Sequence, residues 1–106
     1  MKKILLASAI VTMAFSSASM AAGDAAAGQA KSGICTACHN ADGNSMVPMY
    51  PKLAGQHATY LENALKAYRD GQRTGGNAAI MAPMAKGLND QDIANLAAYY
   101  SQQKAK

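Results

Sequence analysis

The chain reads as an all-α protein on three observations. Apolar residues recur at helical spacing, the candidate helices carry capping residues or glycine stops, and no stretch alternates apolar and polar residues as a half-buried strand does. The first helix is expected over Asp24 to Ser32, an alanine-rich stretch with Asp24 as N-cap and Gly33 as its stop. Thr59 to Asp70 is the second. Leu61, Leu65 and Tyr68 fall at i, i+4 and i+7, and Gly71 closes it. The third begins after Asn89 or Asp90, where Ile93, Leu96, Ala97 and Tyr100 make one apolar face. Two segments between them carry breaker chemistry and are expected to be irregular. Asn40 to Gly55 contains Asp42-Gly43, Pro48 and Pro51; Gly71 to Gly87 contains Gly75-Gly76 and Pro83. Irregular stretches of that length are uncommon in a small domain unless they wrap a ligand.

Residues 1–21 read as an export leader and residues 22–106 as one domain. Lys2 and Lys3 precede an almost uninterrupted apolar run from Ile4 to Phe15, and Ser19-Met20-Ala21 fits the small-x-small cleavage rule. The run is shorter than the roughly 20 residues of a permanent span, so stable membrane insertion is not expected after cleavage. The formal charge of +4 falls to +2 once Lys2 and Lys3 are removed. So small a charge, with no run of Lys or Arg, argues against nucleic acid as a partner.

A domain this short buries only about 60% of its unfolded surface and is marginal by itself. Export to a periplasmic, oxidising compartment would let the two cysteines pair, yet Cys35 and Cys38 are separated by only two residues. The loop they close is too small to restrict the unfolded chain much. A cofactor at the centre of the fold answers the missing core better.

Cys35-Thr36-Ala37-Cys38-His39 supplies the chemistry for one. Each thiol of C-x-x-C-H can add across a vinyl group of haem to form a thioether, and the adjacent histidine is then held beneath the ring, where it can bind iron. A thioredoxin-like redox pair needs a βαβ setting, and a structural zinc site needs four ligands from a chain holding two Cys and two His. Covalent haem c, bound once, is the reading that remains.

The opposite face of the iron decides between a closed electron-transfer site and an open one that binds gases or peroxide. Met46 and Met49 stand too close to His39 in the chain to reach round the ring, and His57, at a polar helix start, reads as a surface residue. Met81 and Met84 lie some 40 residues beyond the attachment motif and can return over the other face. One of them is expected to bind iron and the other to pack; position alone does not choose.

The motif, together with Ala41-Asp42-Gly43-Asn44-Ser45, Pro51-Lys52-Leu53-Ala54-Gly55-Gln56, Leu88-Asn89-Asp90-Gln91-Asp92-Ile93 and Ala97-Ala98-Tyr99-Tyr100, resembles class I cytochromes c. Within that family it is most similar to single-haem cytochrome c553 and to one haem domain of dihaem cytochrome c4. The resemblance runs over the whole of residues 22–106 and implies a class I cytochrome c fold. It implies thioethers at Cys35 and Cys38 and His39 as the proximal ligand. The family's distal methionine lies seven residues before the leucine that precedes the last helix; counting back from Leu88 gives Met81, with Met84 as the alternative. Pro48 matches the family proline whose carbonyl accepts a hydrogen bond from the proximal imidazole. Gly28 and Tyr99 match the small–aromatic contact where first and last helices cross.

The function this resemblance implies is that of a one-electron carrier in a respiratory chain rather than an enzyme, acting as a monomer or weak dimer. Its expected partners are redox proteins, either a membrane respiratory complex or a terminal oxidase or reductase. Lys31, Lys52 and Lys86 are candidates for steering them.

Overall fold

The computed structural model describes Ala9, Ile10 and residues 23–106. The expected leader therefore lies almost wholly outside the described residues. Five helices occur in chain order: α1 (Ala25–Lys31), α2 (Gly33–His39), α3 (Ala58–Arg69), α4 (Ala78–Lys86) and α5 (Asp90–Ser101). No strand occurs among the described residues. None of the helices there is long and apolar enough to cross a membrane.

The starts of α1 and α5 obey their sequence signals. Asp24 caps α1 by accepting from the Ala26 and Ala27 amides at 2.9 and 3.4 Å. Asn89 and Asp92 form a reciprocal capping box at the start of α5, with bonds of 2.7 and 3.1 Å. Gly71, with φ of +73°, terminates α3 as expected.

Two expectations are corrected. Gly33 does not stop a helix but starts α2, because Ser32 is in the α region and ends one helix while opening the next. The segment from Gly71 to Gly87 is not irregular throughout, since α4 occupies its second half with Pro83 inside it. Pro83 is the sixth residue of α4 and has no amide hydrogen for the Ala79 carbonyl, so the helix forgoes one bond. Its apolar content and burial of Ala78 and Ala85 outweigh that loss.

α5 is the backbone of the core. Ile93, Ala94, Leu96, Ala97, Tyr99 and Tyr100 are all buried on it, and Ile93 and Leu96 are the largest fully buried side chains among the described residues. α1 crosses α5 with Gly28 at the contact. A Cβ on Gly28 would lie 2.0 Å from the Asn95 carbonyl oxygen and 2.9 Å from Tyr99 Cβ, so only glycine permits this approach. The expected Gly28–Tyr99 contact is therefore present. α3 lies against α5 through buried Leu61 and half-buried Leu65 and Tyr68. Arg69, at the end of α3, clamps the start of α5 by binding Asp90 at 2.7 Å and the Leu88 carbonyl at 3.3 Å. These three helices make a frame, and α2, α4 and the Asn40–Gly55 segment stand beside it.

Candidate functional site

Between the frame and those remaining elements lies a cavity open to solvent, with a volume of about 820 Å³ when the space at its mouth is counted. Leu61, Ala64, Leu65 and Tyr68 of α3 form one wall, and Leu96, Ala97 and Tyr100 of α5 form its floor. Cys35 and His39 reach it from α2, Pro51 and Leu53 from the irregular segment, and Met81 from α4. Helix register explains the α2 pair: positions i and i+4 share a face, so Cys35 and His39 stand one above the other. Cys38, three positions after Cys35, is half-buried beside the cavity without lining it. Both thiols are free.

His39 is buried, at 5% exposure, and its ring is fixed at one nitrogen. Nδ1 lies 2.7 Å from the Pro51 carbonyl oxygen. A carbonyl only accepts, so Nδ1 carries the proton and donates it, which leaves the Nε2 lone pair for a metal. The family resemblance points to Pro48 as this acceptor, and the structure corrects it to Pro51. Pro48 sits in an exposed turn, where Tyr50 N donates to the Val47 carbonyl at 2.9 Å. Pro51 is held beneath the imidazole because the Leu53 and Ala54 amides both donate to the Gly43 carbonyl, at 2.8 and 3.2 Å. Two prolines three residues apart give a sequence no means of choosing; the anchoring bonds to Gly43 decide.

The methionines separate cleanly. Met81 lines the cavity and is half-buried, whereas Met84 is 45% exposed and lies off the cavity wall. Met46 and Met49 are more exposed still, and His57 is an exposed N-cap of α3, in keeping with its expected surface role. Tyr100 is a cavity residue that the sequence does not mark as one, since its helical spacing identifies it only as core. Its hydroxyl is the one buried side-chain polar atom among the described residues without a hydrogen-bond partner in good geometry. Burial pushes the Cys35 thiol above its ordinary pKa, the nearby Tyr100 hydroxyl draws it partly back, and Cys38 adds to the rise.

The donor set fits a haem. A largely apolar cavity, two thiols three residues apart on one helix, an imidazole with its free nitrogen available and a thioether at the same cavity match what a covalently attached, axially ligated iron porphyrin requires. Fold and site thus define a small helical domain built around one covalent haem.

Comparison with known proteins agrees. The family model described as Cytochrome c matches residues 21–104, and the chain belongs to the cytochrome c family. It is 66% identical over 83 residues to cytochrome c-554(548) of Halomonas halodenitrificans, covering 78% of this chain and all of that one. It is 48% identical over 100 residues to cytochrome c4 of Pseudomonas aeruginosa, covering 94% of this chain and 48% of that protein. The crystal structure of reduced recombinant cytochrome c4 from Pseudomonas stutzeri superposes with a TM-score of 0.71 at 44% identity, over 80% of this chain and 48% of that one. The chain thus spans about half the length of the cytochromes c4 it matches and the whole of the cytochrome c-554(548). The fold is that of a class I cytochrome c, its cofactor is covalently attached haem c, and it is an electron carrier.

Proposed function

We propose that the chain is a periplasmic monohaem electron carrier of a respiratory chain, with thioethers at Cys35 and Cys38 and His39 and Met81 as axial ligands. The observation that carries this reading is the meeting of the fixed His39 imidazole and Met81 at a single cavity. The bound haem supplies a reversible one-electron couple, whose potential a soft thioether ligand and an apolar pocket raise.

The chain's own residues then do three things. Cys35 and Cys38 keep the group from leaving a domain too small to enclose it. Pro51 holds His39 in one tautomer and one orientation, which raises the basicity of the ligating nitrogen. The apolar wall of α3 and α5 keeps water from the ring. A closed site of this kind binds no substrate, which favours a carrier over an enzyme.

Residues 1–21 are the leader in this reading, and the partners are a membrane respiratory complex, a terminal oxidase or reductase. Lys31 and Lys86 are exposed and available to steer them, although Lys31 also stands 3.6 Å from Asp92. Lys52 is exposed too, but its amino group donates to the Lys106 main-chain oxygen at 2.7 Å. The carrier is a monomer or weak dimer in this reading.

Absorption spectroscopy tests the ligand set. The oxidised protein is expected to show the weak deep-red band of a methionine–iron bond, lost in Met81→Ala and kept in Met84→Ala. A high-spin ferric spectrum in the wild type, with ready carbon monoxide binding on reduction, overturns the reading.

A further inference from the structure

The residues beyond α5 lie back across the Asn40–Gly55 segment, and one buried side chain joins the two. Asn44 is 8% exposed and uses both ends of its amide. Its Nδ2 donates to the Lys104 carbonyl and to the Asp42 carboxylate, both at 3.0 Å, and its Oδ1 accepts from the Lys106 amide at 2.9 Å. Its main chain is held as well. The Asn44 amide donates to Asp42 Oδ1 at 3.0 Å, and its carbonyl accepts from Asn40 Nδ2 at 2.7 Å.

Asn40 comes directly after His39 and has φ of 63° and ψ of 163°. That region is nearly closed to residues other than glycine, and it persists only where surrounding contacts enforce it. The 2.7 Å bond to the Asn44 carbonyl is one such contact; the Asn40 amide bond to the Thr36 carbonyl at 2.9 Å and the Gly43 amide bond to the Asn40 carbonyl at 3.2 Å are two more. On the far side, the 104–106 segment that Asn44 holds accepts at the Lys106 main-chain oxygen from Lys52 Nζ at 2.7 Å, and Lys52 is one residue from Pro51. Gly43, next to Asn44, accepts the two amide bonds that place Pro51.

From these bonds we infer that Asn44 is a positioning residue for the proximal ligand: it locks the turn after His39, the 104–106 segment and the Pro51–Ala54 stretch into one unit, and so holds the Pro51 carbonyl against His39 Nδ1. The inference rests on His39 being the proximal ligand. Loosening the unit lengthens the Nδ1–H···O bond, lowers the basicity of the imidazole and disfavours ferric iron, so the potential rises.

The test compares wild type, Asn44→Ala and Asn44→Gln with Asn89→Ala, a variant that loses the distant α5 capping box and serves as a stability control. Each is purified with haem attached. Two quantities are measured: the midpoint potential, and the exchange rate of the His39 Nδ1 proton by nuclear magnetic resonance of the reduced protein. Asn44→Ala is expected to raise the potential and to speed exchange roughly fivefold to tenfold, as the loss of a hydrogen-bonded restraint of ordinary strength does. Asn44→Gln keeps the amide but displaces it, so the same changes are expected at smaller size, and it carries the test where the alanine variant fails to hold haem. Asn89→Ala is expected to move neither quantity. The inference is overturned if both Asn44 variants match wild type in potential and exchange, or if Asn89→Ala shifts them equally. An absence of ring-current-shifted His39 signals in the wild type sinks the ligand reading itself, a different failure from an unresponsive Asn44.

Discussion

The crossing of α1 and α5 and the cavity beside it are held by opposite means. At the crossing, backbone meets backbone. Gly28 leaves no room for a methyl group, and Asp24 N donates to the Asn95 side chain at 2.8 Å. Around the cavity the side chains of α3, α4 and α5 line a pocket that opens to solvent. α5 serves both regions, with Ile93 buried in the core and Leu96, Ala97 and Tyr100 turned to the cavity. The frame is complete as protein. The cavity side is completed by haem, and that division explains how so short a chain forms a stable domain.

The largest expected effect removes the haem and leaves the frame. Cys35→Ala combined with Cys38→Ala abolishes covalent attachment, so the purified protein should lack the haem Soret band and weigh less by one haem in the mass spectrum. Native packing of α4 should be lost with it, since its cavity face then has water or nothing to rest on. Amide exchange locates the damage: α4 and residues 41–55 should exchange freely, while α1 and α5 keep the most protection that remains. Equal loss of protection in both regions would show that the frame depends on the haem as much as the cavity does.

How much of this is legible in the sequence differs between the two regions in the same way. The frame announces itself locally, through Asp24 and Asn89 as caps, Gly71 as a stop and the apolar face of Ile93, Leu96, Ala97 and Tyr100. The attachment motif is equally plain, because its chemistry is written in five consecutive residues. Around the cavity, assignments depend on contacts distant in sequence. α2 is hidden because Gly33 reads as a terminator and its seven residues are too few to show a period. α4 is hidden because Pro83 reads as a breaker, although packing of Ala78 and Ala85 overrides it. Pro51 cannot be told from Pro48 without the Gly43 carbonyl that anchors the residues after it. Met81 is reached only through a family spacing, and its place on the cavity wall comes from α4.

A substitution confined to the frame sharpens the contrast at smaller size. Gly28→Ala puts a methyl group 2.0 Å from a main-chain oxygen, and no rotamer change relieves a clash with backbone. The two helices must separate, at a cost of about 3 kcal/mol, the upper part of the usual range for overpacking. At about 4–8 °C per kcal/mol for a domain of this size, the melting temperature should fall by roughly 12–24 °C. Haem attachment and the oxidised spectrum should be unchanged in the protein that folds, because no cavity residue is touched. A lost deep-red band in Gly28→Ala would mean that the crossing sets the distal ligand, and the two regions could no longer be treated as separate.

The smallest expected effect lies on the cavity side and is seen only in acid. The Asn44 amide, then the Asn44 side chain and more weakly Lys106 hold the Asp42 carboxyl below its ordinary value of 3.8. A folded value lower than the unfolded one contributes stability that is present above the unfolded value and is lost as pH falls through the folded one. Below pH of about 4, therefore, the Asn40–Ser45 turn should begin to loosen while α1 and α5 remain closed. Asp42→Asn removes the titrating group, so the acid-induced rise in exchange at residues 41–55 should be flatter than in wild type. Asp70, which Arg69 holds low in the same way, lies on the frame side and is unchanged by the substitution. The difference between the two pH profiles therefore isolates Asp42. Identical profiles would place the acid sensitivity in the frame, with Asp70, and would reverse the order in which the two regions are expected to open.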